Sequence, residues 1–145
     1  MIDPTKIREK LKIIERERSL LEDFRGMSFE EFSTDEKIHE YYGALHHLQV
    51  ALQAVLDVCQ HIAAQKLLGP YKENKEVFAL LSRKGILSEE VAKTFEAAVG
   101  VRNILVHQYE EVDPHKVYEV IQNNLSDFDR FVGEIGKYLE ESQPS

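Results

Sequence analysis

Arg102 and His107 are the residues whose types and spacing most directly point to chemistry. They lie within residues 102–109, which read RNILVHQY. Histidine titrates near neutral pH and can transfer protons, and the planar guanidinium of arginine can clamp two phosphate oxygens as negative charge builds up. Such a pair could bind a phosphate group and transfer a proton next to it. Asn103 could orient His107 or donate a hydrogen bond to phosphate, and Tyr109 could position the substrate.

Arg102 interrupts the apolar pattern of the helix predicted to carry it. At about 100° per residue, it falls within an apolar stripe instead of opposite it. The apolar members of this stripe are Val91, Phe95, Ala98 and Leu105. A buried, unpaired guanidinium is costly, so we expect Arg102 to be paired, or to face a cleft or a partner subunit. The alternative is a structural arginine, salt-bridged to a helix carboxylate such as Asp57.

Asp57 is a candidate supporting residue on the longest predicted helix. Asp57 and His61 lie four residues apart and share one helix face with Val50 and Ala54. A polar pair that continues a stripe of small residues should meet another helix and not bulk water. Two interpretations stay open: a hydrogen-bonded pair without a functional role, and a contribution to the site.

Metal and thiol chemistry find little support in the sequence. Glu36 and His39 match the Glu-x-x-His spacing of di-iron bundles once, at the edge of a helix, and the motif has no second copy. The remaining histidines show no paired-ligand spacing. Cys59 is the only cysteine and lies in an apolar run, which is typical of a small buried hydrophobe. We therefore predict no metal site, no cofactor and no catalytic thiol.

Length and charge limit the classes of partner. The 145 residues fit one domain, residues 1–145, and the 26 acidic against 18 basic side chains give a net charge of −8. A whole-surface affinity for nucleic acid or an anionic membrane is therefore not expected, and any nucleic-acid contact would need a local basic cleft. The longest uncharged stretch, residues 41–56, is too short and polar to span a bilayer, and the N-terminus does not read as a signal peptide. We expect a cytoplasmic protein.

The helix-start and helix-stop signals of the sequence predict an all-α fold. Asp3-Pro4 opens a first helix that Gly26 closes, and a capping box at residues 33–36 opens a second that ends at Gly69-Pro70. A short third helix over residues 74–84, a fourth from Ser88 to about His107, and a fifth from Asp113-Pro114 through Leu139 follow. The second helix carries apolar residues at a period of 3.5, which favours shallow packing in a bundle. We predict an antiparallel four-helix-bundle core with one additional short helix.

The string at residues 102–109 resembles the Arg-x4-His-x-Tyr motif of HepT-type toxins, in the HEPN superfamily of all-α ribonucleases. The helix over Tyr41–Ile62 and the Asp3-Pro4 and Asp113-Pro114 helix starts are also similar to that family, so the resemblance covers nearly the whole chain. It implies a HEPN-like fold and a metal-independent endoribonuclease toxin. RNA would be cleaved through attack by its own 2′-hydroxyl, with His107 as acid and base and Arg102 binding the phosphate. The resemblance also implies an MntA-type nucleotidyltransferase antitoxin as partner, which transfers AMP to Tyr109.

The predicted chemistry favours a dimer, and one alternative function stays open. A single His107 cannot easily act as both base and acid, so a two-fold homodimer would supply a second His107 and double the positive charge. The alternative function is a non-catalytic helical partner, or nucleotide-binding subunit, of a nucleotidyltransferase. The intact set of Arg102, His107 and Tyr109 favours the enzyme.

Overall fold

The computed structural model describes residues 3–107 and 112–142, with only the backbone described at residues 106 and 107. Within these ranges the chain forms seven α-helices and one 3₁₀ turn over Asp35–Lys37. The helices are α1 Pro4–Glu22, α2 Phe29–Ser33, α3 Ile38–Gln65, α4 Glu76–Arg83, α5 Glu89–His107, α6 Pro114–Asn123 and α7 Leu125–Ser142. The predicted all-α class is confirmed.

Four long helices form the core of the molecule. Helix α1 packs along α3, α3 packs against α5, α5 contacts α7, and α7 returns to α1, which closes the ring. The short α4 lies against α3 and α5, and α2 contacts α3 and α6. Across the described ranges, no helix combines the length and apolar character needed to cross a membrane.

The apolar seam of α3 forms the centre of this bundle, as its period predicts. Seven of its members are buried: Tyr41, Leu45, Leu48, Leu52, Val55, Cys59 and Ile62. Ile38 at the start of the helix is partly buried against the same core. Because α3 packs on both α1 and α5, its polar positions lie between those helices and are available to build a site there.

The stripe of α1 contains a charged residue. Ile7, Leu11, Ile14 and Leu21 are buried as their spacing predicts, and Glu17 lies between them at only 5% exposure. Its Oε2 is 2.6 Å from Nδ1 of His47 on α3, and its Oε1 accepts from Arg16 at 3.1 Å. This hydrogen-bonded pair joins α1 to α3.

The capping box predicted at residues 33–36 is not formed, although helical structure does begin at Asp35 and continues into α3. Thr34 makes no side-chain capping bond, and the chain turns there in extended backbone before the 3₁₀ turn and α3. The capping serine is Ser28, whose Oγ accepts from the backbone of Glu31 at 3.1 Å and opens α2. Ser28 and Glu31 therefore satisfy the capping spacing that the sequence analysis placed at residues 33–36.

Two helix ends also differ from prediction. Helix α3 stops at Gln65, ahead of Gly69-Pro70, because Leu67 adopts a left-handed conformation with φ of 52°. The backbone N–H of Leu68 then closes on the carbonyl of Ala63 at 3.0 Å, a glycine-type helix end made with leucine. The predicted fifth helix is two helices, since Asn124 leaves helical geometry and its side chain donates to Asp127 at 3.3 Å.

Candidate functional site

Arg102 lies on the last turns of α5, half-buried against α3. Its Nε donates to Oε1 of Gln53 at 2.7 Å, and its Nη2 donates to the same oxygen. Its Nη1 donates to Oδ1 of the exposed neighbour Asn103 at 2.8 Å. The expectation that Arg102 is paired is thus confirmed, and both described partners are neutral amides.

A chain of polar side chains continues from Arg102 across the bundle to α1. Nε2 of Gln53 donates to Oδ1 of Asp57 at 2.7 Å, one turn further along α3. The other carboxylate oxygen of Asp57 accepts from Nζ of Lys10 at 3.3 Å. The side chain of Asp57 is 32% exposed and that of Lys10 44% exposed, so this ion pair is largely solvated. Side chains from three helices therefore meet behind one guanidinium.

The proposed direct salt bridge between Arg102 and Asp57 is not formed, because Gln53 lies between them. The sequence analysis did not identify Gln53. Its spacing of four residues from Asp57 places it on the same helix face, and that signal could have found it. Asp57 therefore contacts Arg102 only through Gln53, and its supporting role stays a prediction.

His61 does not pair with Asp57, whose carboxylate is used by Gln53 and Lys10. Nε2 of His61 is buried and has no hydrogen-bond partner within the described part of the chain. The face that Asp57 and His61 share does meet another helix, as expected. It lines a cavity of about 400 Å³ against α1, whose walls include Lys6, Glu9 and Lys10.

The remaining site residues lie where side chains are not described. Helix α5 continues to His107, so the backbone from Arg102 to His107 is helical, as the sequence predicts. The side chain of His107 and the whole of Tyr109 fall outside the described residues. Their catalytic and modification roles stay predictions.

The sequence predicts no metal site and no catalytic thiol. The described residues give one observation on each prediction. Among residues 3–105 and 112–142, no three His, Cys, Asp or Glu side chains are placed to hold a metal ion, and Glu36 and His39 are exposed. Cys59 is completely buried, and this burial raises the pKa of its thiol. The interpretation of Cys59 as a small buried hydrophobe is confirmed.

The outer side of α5, on the face away from Arg102, carries small and apolar residues. Ala97 and Gly100 are exposed there, and Ile104 is 39% exposed. A cavity of about 330 Å³ opens next to them, lined mainly by apolar residues of α3, α5, α6 and α7 that include Phe95, Val101 and Phe128.

Comparison with known proteins identifies the family of this fold and motif. The family model described as "Ribonuclease HepT-like" matches residues 13–135. The tRNA nuclease HepT of Aphanizomenon flos-aquae is 31% identical over 138 residues, which cover 95% of this chain and 92% of that protein. The mRNA nuclease HepT of Shewanella oneidensis is 33% identical over 85 residues, 59% of this chain and 64% of that protein.

A solved structure agrees with these matches. The tri-AMPylated HEPN toxin of Shewanella oneidensis, in complex with its MNT antitoxin, superposes with a TM-score of 0.78 at 27% identity. The superposition covers 90% of this chain and 96% of that toxin. The HEPN-like fold is therefore confirmed.

Proposed function

The chain belongs to the ribonuclease HepT-like family, and from that premise we propose that it is a metal-independent endoribonuclease toxin of a toxin–antitoxin pair. The observation that carries the proposal is the state of Arg102. Its guanidinium is ordered by two neutral amides and retains its full charge for an anion. A phosphate is the anion that such a site would take from RNA.

The chemistry divides between two side chains. His107 removes the proton of a 2′-hydroxyl, and the oxygen attacks the adjacent phosphorus. The bond to the 5′-oxygen breaks, and that oxygen takes a proton from an imidazolium. The products are a 2′,3′-cyclic phosphate and a 5′-hydroxyl. Arg102 stabilises the charge that accumulates on the phosphate oxygens, and Asn103 supports Arg102 or His107.

We further propose that the active form is a two-fold dimer. Two copies would bring a second His107 into the cleft, so that one imidazole acts as base and the other as acid. Gly100 and Ile104 are exposed on the side of α5 that, at about 100° per residue, also includes position 107, and Ala97 is exposed nearby; small and apolar residues there would allow two α5 helices to approach closely. Pairing the two sites would also concentrate positive charge in a protein of net charge −8.

The proposed partner is a nucleotidyltransferase antitoxin that adds AMP to Tyr109. The related Shewanella oneidensis toxin is tri-AMPylated and bound to its MNT antitoxin, which supports the same control here. An added nucleotide would fill the cleft and place negative phosphate near Arg102. Both effects would exclude RNA.

The test of this function is RNA cleavage by the purified protein in EDTA. We expect cleaved RNA with 2′,3′-cyclic phosphate ends, and loss of cleavage in His107→Ala. His39→Ala is the matched control, since His39 is exposed at the start of α3. General acid–base catalysis contributes about 10²–10⁴-fold, so a His107→Ala protein with near-normal activity would refute the mechanism. Strict dependence on a divalent metal would refute it as well, and a protein without any cleavage would favour the non-catalytic partner subunit.

A further inference from the structure

We propose that Gln53 is a positioning residue that holds the guanidinium of Arg102 in one orientation, and that Asp57 fixes the direction of the Gln53 amide. The effect on catalysis rests on the function proposed above. The orientation of Arg102 does not depend on that function and can be measured separately.

The direction of the amide is determined from both ends. The carboxylate of Asp57 only accepts hydrogen bonds, so the group that faces it at 2.7 Å must be the NH₂ of Gln53. The guanidinium of Arg102 only donates, so the group that faces it at 2.7 Å must be the oxygen. A flipped amide would place two acceptors together at one end and two donors together at the other.

Gln53 binds a particular edge of the guanidinium. It accepts from Nε and Nη2, which form the side edge of the planar group. Asn103 accepts one hydrogen of Nη1. Of the five N–H groups, these described contacts use three and leave one hydrogen on each terminal nitrogen. In the proposed site these two hydrogens, which have no acceptor among the described residues, bind a phosphate.

The neutrality of Gln53 is essential to this arrangement. A carboxylate at the same place would form an ion pair with Arg102 and compete with the phosphate for it. The amide orders the guanidinium and leaves its charge uncompensated. The negative charge of Asp57 lies one side chain further away, and Lys10 offsets it at 3.3 Å.

Kinetics of three variants test the catalytic consequence. Gln53→Ala frees the guanidinium, so we expect kcat to fall by about 10- to 100-fold, the scale of a small misplacement of a catalytic group. Asp57→Asn keeps Gln53 but releases its direction, and we expect a smaller fall in kcat. Gln53→Glu keeps an acceptor for Arg102 and adds charge, so we expect KM for RNA to rise more than in Gln53→Ala. Gln60→Ala is the matched control on α3, where Gln60 bonds to Asn74 away from the site.

A second readout reports the orientation of Arg102 without any activity. In heteronuclear NMR, the Nε–H signal of Arg102 should exchange slowly with water in the native protein. We expect fast exchange and free rotation of the guanidinium in Gln53→Ala, and native behaviour in Gln60→Ala. A native Nε–H signal in Gln53→Ala would overturn the proposal. Unchanged kcat per folded protein in Gln53→Ala would also overturn it. If the native protein cleaves no RNA, the proposed function fails, and the NMR result alone decides whether Gln53 positions Arg102.

Discussion

Replacing Arg102 with alanine should remove RNA cleavage and leave the free energy of unfolding nearly unchanged. In the native protein Arg102 is half-buried and donates to Gln53 and Asn103. Hydrogen bonds to charged groups are worth about 1.5–3 kcal/mol when they are buried. Here water can replace the guanidinium at the cleft, and the variant no longer desolvates a charge, which opposes the loss. We therefore expect the free energy of unfolding to change by about 1 kcal/mol or less in either direction.

Leu105→Ala provides the comparison on the same helix. Leu105 follows Arg102 by three residues and is 0% exposed, so its truncation leaves a cavity and should lower the free energy of unfolding by about 2–5 kcal/mol. For a chain of this size, about 1 kcal/mol corresponds to about 2–4 °C in Tm. Urea unfolding followed by circular dichroism separates these two cases.

Arg102→Lys completes the series because it keeps the charge but removes the fork. One ammonium cannot hold Gln53 at one edge and two phosphate oxygens at another, so we expect cleavage to stay far below the native rate. The reasoning is refuted if Arg102→Ala unfolds as easily as Leu105→Ala, since Arg102 would then be a structural residue. Full cleavage by Arg102→Lys would refute the argument from the fork.

Three further predictions concern control, assembly and a helix end. Co-expression with a cognate nucleotidyltransferase should add one or more AMP units to Tyr109, which intact-mass spectrometry detects. Tyr109→Phe should abolish this modification. A neutralised complex with unmodified Tyr109 would show that the antitoxin acts by occlusion alone. Each unit brings about one negative charge near Arg102, worth a few kcal/mol at an effective dielectric near 20. Light scattering should give a dimer at micromolar concentration, and a fully active monomer would contradict it. Leu67→Gly should raise the free energy of unfolding by about 1 kcal/mol by relieving the left-handed backbone at φ of 52°, whereas Leu68→Gly, in a residue packed on the core, should lower it.

The bundle could be predicted from the sequence because periodicity reports burial directly. The seam of α3 recurs at 3.5 residues, and seven of its members are buried. The same periodicity identified the unusual position of Arg102, since a charged residue among the apolar positions of a helix needs a partner or a cleft. These conclusions need only the geometry of one helix at a time.

The contacts between helices could not be predicted, because they depend on how two helices are rotated against each other. The contact between Gln53 and Arg102 joins residues 49 positions apart, and nothing local in either helix specifies it. The pair of Glu17 and His47 is of the same kind, with a charge at a core position of α1 that only its partner on α3 explains. The helix break at Asn124 has a local cause, but the apolar pattern of α6 and α7 is nearly continuous across it. The apolar periodicity therefore predicted one helix instead of two.

Arg18 and Arg130 pair with carboxylates and Arg102 does not, which bears on how a protein of net charge −8 could present a cation to the proposed RNA substrate. Arg18 pairs with Glu22 and Asp129, and Arg130 pairs with carboxylates of its own and another helix. Those charges are largely neutralised. Arg102 differs because its described partners are the amides of Gln53 and Asn103, which fix its position and leave its charge for a ligand. A protein with an acidic surface therefore needs no broad basic patch for this chemistry. It needs one guanidinium with neutral neighbours, and a second copy of the same site would double the effect.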